Sequence, residues 1–268
     1  MSSNASTSSY KRTSYGFVAP KRTVKKSPST STRVYTSTVS SSPKVSTSSS
    51  SAANANTIGF DPNAVRMSLN RLQNTYNDML SSFINYTNTF LNNMGYVWAC
   101  PEAVTFFRNI FCPEFNSFVT RIDTSISNIF DAINNSARSW SDISKLSYGK
   151  VNFVRFQHKS FDASSIRESI NGNVGIDPVS ATSNLSTLDK ISGMLNTSLT
   201  NMVNILRTTS FVGKGQQEVL IQSVNSIKNN INNKYEAIII GIKNQINNTS
   251  QKYKNIATSV STSFSSIK

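Results

Sequence analysis

Apolar side chains recur at steps of three, four or seven along four long stretches of the chain, the spacing of one helix face rather than the alternation of a strand. The first stretch runs through Val65, Leu69, Leu72, Tyr76, Met79, Phe83, Phe90 and Met94, after the punctuation Phe60-Asp61-Pro62-Asn63. Its pattern stops at Gly95, which reads as a left-handed helix end. The second stretch takes Phe107, Phe111, Phe118, Ile122, Ile129, Ile133, Trp140 and Ile143, with Pro101 suited to the first helical position. Two long amphipathic helices joined by a connection of about five residues fold back on one another as an antiparallel hairpin.

Residues 146–181 break the pattern. VNFVRFQHKSF alternates weakly and reads as a short extended segment, INGNVGIDP has the Gly, Asn and Pro of a loop, and the residues near 163–170 fit a short helix. Two further stripes follow. Leu185, Leu188, Ile191, Leu195, Leu199, Met202 and Leu206 form one; TTSFVGKG is a turn; Leu220, Val224, Ile227, Ile231, Ile238, Ile242 and Ile246 form the other. The expectation is an all-α protein, two long antiparallel helical hairpins forming a four-helix bundle. The hairpins span 60–145 and 182–256, separated by a linker at 146–181 and followed by a frayed C-terminus at 257–268.

Composition adds an N-terminal tail at 1–56. Half of its first 50 residues are Ser or Thr, and it carries Lys11, Arg12, Lys21, Arg22, Lys25, Lys26, Arg33 and Lys44 with no acid. Eight of the chain's net +14 charges therefore sit there. So little apolar surface cannot offset the entropy of ordering, and the tail reads as disordered. It lacks the apolar run of a secretory signal peptide. The longest apolar stretch elsewhere, AIIIGI at 237–242, is far short of the ~20 residues of a membrane-spanning helix. Any export is expected to use a route independent of a signal peptide.

The tripeptide Cys-Pro-Glu occurs twice, at 100–102 and 112–114. Zinc ligands pair two to four residues apart and number four. Thiols twelve residues apart on one helix lie about 18 Å from each other, beyond a shared metal or a disulfide. The repeat reads as architecture: two small buried thiols, a kink or restart at Pro113, and Glu102 and Glu114 placed in first turns where a carboxylate favours the helix dipole.

The stretch YVWACPEAVTFFRNIFCPEFNSF, with Trp98 in a tight connection, Ala103, Phe106, Phe107 and Pro113-Glu114-Phe115-Asn116 on the returning helix, resembles the WXG-type helical hairpins of bacterial type VII secretion substrates. The second hairpin is similar in SFVGKGQQEVL, with Phe211 in the Trp position and Gly213 in the Gly position. Each copy departs from the pattern, the first by Cys100 in place of Gly and the second by Phe211 in place of Trp. The family's tail signal, Tyr followed four residues later by Asp or Glu, is absent from this sequence. The resemblance implies a turn or recognition motif at Trp98, Ala103, Phe211 and Gly213, with Trp98 displayed at an exposed turn to a secretion motor ATPase. It implies a helical protein partner or self-association; in this chain the second hairpin would replace the partner. It also implies a location that is cytoplasmic before export and then secreted or at the cell envelope.

Catalytic chemistry finds no support in the sequence. The single histidine, His158, lies in a loop-like stretch, and GKGQQE at 213–218 lacks the length and the Lys-Ser/Thr ending of a phosphate loop. The expectation is a non-enzymatic protein without cofactor or metal. An alternative of another class is a structural or nucleic-acid-associated helical protein, a virion or nucleoid component. Its contact arm would be Lys11, Arg12, Lys21, Arg22, Lys25, Lys26 and Arg33, with interleaved tyrosines. Such a tail would bind polyanions nonspecifically and salt-sensitively.

Overall fold

The computed structural model describes residues 59–209 and 214–267. It is mostly helical. Helix α1 (Pro62–Val97) is followed by the two-residue strand β1 (Trp98–Ala99). The returning arm is α2 (Pro101–Phe106), one π-helical stretch over Phe107–Phe111 and α3 (Cys112–Ser144). Then come β2 (Gly175–Ile176), α4 (Pro178–Thr209) and α5 (Lys214–Ser265).

The same dipeptide starts two of the long helices. Asp61 caps α1, its Oδ1 accepting from the Asn63 and Ala64 amides at 2.8 and 3.3 Å, with Pro62 at the first position. Asp177 does the same for α4: its Oδ1 accepts from the Val179 and Ser180 amides and its Oδ2 from the Ser180 hydroxyl at 2.6 Å. The bonds from Ser180 hold the Asp177 carboxyl below the usual carboxylate range.

The stripe of α1 is buried throughout from Val65 to Met94, as are those of α4 and most of α3. Ile143, placed in the α3 stripe by its spacing, is 75% exposed. The backbones of α1 and α4 approach most closely, then those of α4 and α5. Aromatic rings fill the space between α3 and its neighbours, Phe115 and Phe118 meeting Phe83 of α1. Tyr235 of α5 ties the elements together: its ring meets Phe83 of α1 and Phe115 and Phe118 of α3, and its hydroxyl donates to the Leu188 carbonyl of α4 at 2.8 Å.

Three local expectations need correction. Gly95 does not end α1 in a left-handed conformation; the helix continues to Val97 and Gly95 is not at positive φ. Its lack of a side chain serves a close approach, since a Cβ there would lie 2.1 Å from the Ser165 carbonyl oxygen. No helix forms at 163–170, which holds a single turn closed by Ile166 N–H on the Ala163 carbonyl at 3.0 Å. Residues 257–265 do not fray but continue α5 to Ser265, with every side chain exposed. Pro113 does interrupt the second pattern, and the interruption takes the form of the π stretch just before it. That insertion lets adjacent Phe106 and Phe107 both be buried.

Candidate functional site

Two features concentrate the polar chemistry of the described residues: the bend at Trp98 and the crossover from α3 to α4.

At the bend, Trp98 and Ala99 pair antiparallel with Ile176 and Gly175, and the Asp177 amide donates to the Val97 carbonyl at 2.8 Å. The chain therefore returns to this bend before starting α4. Trp98 is fully buried, its indole stacked on Phe106 at 5.8 Å and edge-on to Phe107 at 5.7 Å. The expectation that this indole is displayed at an exposed turn is overturned: β2 and the aromatic rings of the returning arm enclose it. Tyr96, two residues earlier, is the large exposed side chain here, at 66%.

Cys100 has a structural task. In extended conformation it caps α2, its Sγ accepting from the Ala103 amide at 3.3 Å and from the indole Nε1 of Trp98 at 3.1 Å. The thiol thus satisfies the buried indole donor. Ala103 is buried beneath it. Glu102 faces outward to α5, where its carboxylate accepts from Lys252 Nζ and from the Tyr253 hydroxyl at 3.4 Å. The Lys252 bond holds that carboxyl below its usual range. Burial raises the Tyr253 phenol, and the neighbouring Cys100 and Glu102 act in the same direction.

The crossover lies across α1 and α3 as a strap held by its backbone. Asn134 donates to the Val151 carbonyl at 2.9 Å and accepts from the Val151 amide at 3.1 Å. Gln73 does the same with Val154, at 2.8 and 3.0 Å. Asn116 does the same with Phe161, at 3.0 and 2.8 Å. A carboxamide presents a donor and an acceptor side by side, matching one residue's N–H and C=O. Between these clamps the Tyr76 hydroxyl accepts from the Phe156 amide at 2.9 Å and donates to the buried Asp123 carboxylate at 2.7 Å. Burial, more than that carboxylate, raises the Tyr76 phenol. Phe153 packs on Tyr76 and Phe130, and Phe161 on Phe83 and Phe115, so the weak alternation of VNFVRFQHKSF does mark an extended segment.

Phe211 and Gly213 lie outside the described residues, as do Lys11, Arg12, Lys21, Arg22, Lys25, Lys26 and Arg33 and the whole 1–56 tail. The structure brings Trp98 and Ala103 together through Cys100. Spacing alone missed the clamps, because Gln73, Asn116 and Asn134 read as ordinary polar positions beside apolar stripes. Their one signal is that Gln73, Asn116 and Asn134 directly follow the inward-facing Leu72, Phe115 and Ile133.

Both cysteines are free and buried, and burial pushes the Cys112 thiol up to about 11. Among the described residues, no three His, Cys, Asp or Glu side chains cluster closely enough to hold a metal ion, and no helix is long and apolar enough to cross a membrane. No protein-family model, curated protein or solved structure matches the chain.

Proposed function

We propose that the chain is a non-enzymatic helical protein that acts by helix–helix association, in the manner of a substrate or partner of bacterial type VII secretion. In this reading its four long helices form two antiparallel hairpins clasped as a four-helix bundle, the second hairpin taking the place of a partner chain. The observation that carries it is the Trp98 bend. The second pair of helices begins there, through β1 and β2, and is tied back to it by Lys252 and Tyr253 on Glu102. Internal covering of the first pair's apolar face removes the need for a partner subunit.

A motor ATPase would then meet the outer surface of the bend around Tyr96, the indole itself being internal. The protein would be cytoplasmic before export and secreted or envelope-associated afterwards. The test compares its amount in the culture medium of cells with and without the motor ATPase; equal amounts remove the secretion role. Light scattering tests the internal pairing, which an obligate dimer without a folded monomer would exclude.

A second reading rests on the eight basic residues and absence of acid in 1–56. Here the protein is a structural, nucleic-acid-associated component whose tail is the contact arm. Filter binding to DNA at two salt concentrations should show steep salt dependence that disappears with deletion of 1–56. Unchanged affinity after that deletion excludes the arm.

A further inference from the structure

The last turns of α5 lie beyond the core. Tyr253 is half-buried, and every residue from Lys254 to Ile267 is exposed. This overhang is nonetheless amphipathic. Tyr253, Ile256, Val260 and Phe264 of α5, with Ile267 in the turn that follows its end, succeed one another at steps of three, four, four and three, a narrow stripe of the kind that forms a coiled-coil seam. Ile256, Val260, Phe264 and Ile267 are 51, 45, 68 and 77% exposed.

The other faces carry little that could recruit a charged partner. No ionisable side chain lies between Lys254 and Lys268. The hydroxyls of Thr258, Thr262, Ser263 and Ser265 are turned back onto carbonyls four residues earlier. What remains is a neutral apolar seam on a helix rich in Ser, Thr and β-branched residues, whose own helix propensity is poor.

The spacing identifies the occupant. Steps of three, four, four and three read the same from either end, with Val260 at the centre. Laid antiparallel on a second overhang, Val260 meets Val260, Ile256 meets Phe264, and Tyr253 meets Ile267. Every apolar position finds an apolar position, as a two-fold contact requires. We propose that two copies of this chain associate end to end through an antiparallel pair of overhangs centred on Val260.

The seam would bury on the order of 1,000 Å² over both copies, the low end for specific interfaces, so the dimer is concentration-dependent and its monomers stay folded. This goes beyond the function proposed above and does not rest on secretion.

The test uses the full chain. Sedimentation equilibrium should show a monomer–dimer equilibrium. Val260→Asp should raise the dimer dissociation constant at least tenfold without changing the circular dichroism or the melting temperature. For the register, mild oxidation should cross-link Val260→Cys with itself. Ile256→Cys and Phe264→Cys should cross-link only when mixed, because each stands about 12 Å along the axis from its own symmetry mate. The native chain, with Cys100 and Cys112 buried, is the control. A wild-type protein that stays monomeric to about 1 mM, dimerisation unaffected by Val260→Asp, or self-cross-linking of Ile256→Cys overturns the proposal.

Discussion

Replacing Gly95 by alanine sets two effects of known sign against each other. In an exposed helix interior, alanine is worth about 0.5–1 kcal/mol over glycine, so propensity alone makes Gly95→Ala stabilising. The crossover opposes it. A Cβ on Gly95 lies 2.1 Å from the Ser165 carbonyl oxygen and 2.9 Å from its carbon, and both are backbone atoms. Relief needs a retreat of about 1 Å by a turn fixed on both sides, by Ser164 N–H on Asp162 Oδ1 and by Ile166 N–H on the Ala163 carbonyl, each 3.0 Å. Overpacking of this kind costs roughly 1–3 kcal/mol, and the collision here is at the severe end. The expected net is a loss of about 1–2 kcal/mol, lowering the melting temperature by roughly 3–6 °C. Gly193→Ala is the control: it is also helical and has nothing within 4 Å of a Cβ, so it should gain stability. Urea denaturation followed at 222 nm measures both. Gly95→Ala as stable as wild type, with Gly193→Ala stabilising as expected, would refute the close approach.

Trp98→Ala should cost about 3–5 kcal/mol in urea denaturation, because a fully buried indole leaves a large cavity; a cost below 1 kcal/mol would mean the ring is displayed. Asn116→Ala should remove one clamp at a cost of about 1–3 kcal/mol and speed hydrogen exchange at the Phe161 amide more than at Val151; equal rates at the two would sink the clamp. Alkali should destabilise the fold. Burial raises the phenols of Tyr76, Tyr148, Tyr235 and Tyr253 above their ordinary value of 10.0 and the Cys112 thiol to about 11, so the folded state keeps protons that the unfolded chain releases. That stability is complete below the unfolded values and declines as pH rises from about 9. Absorbance at 295 nm should show these four phenols ionising together with loss of helix; ionisation of all tyrosines near pH 10 with helix intact would contradict it.

The helices were legible because an amphipathic helix repeats its signal over many turns, and thirty consistent residues outweigh any local ambiguity. Single contacts between distant segments leave no such periodic trace. Gly95 looked like a helix end because glycine is common there, whereas its neighbour is Ser165, seventy residues on. For the same reason the strap was legible as an extended segment but not as one clamped in place. It is held by carboxamides of α1 and α3 acting on backbone, so its own sequence carries little of the instruction. The bend was half legible: Trp98 and Ala103 stood out, but the role of Cys100 depends on the indole nitrogen reaching its sulfur.

The π-helical stretch at Phe107–Phe111 holds slack in the returning arm. One residue more than an α-helix needs is wound into that turn. Deleting one residue there would let the turn close as ordinary α-helix, with Trp98, Cys100 and the seat for β2 kept near their present phase. The same deletion in the regular part of α3 would swivel everything before it by about 100°. A one-residue loss is therefore absorbed more easily in those five positions than in the buried turns of α3.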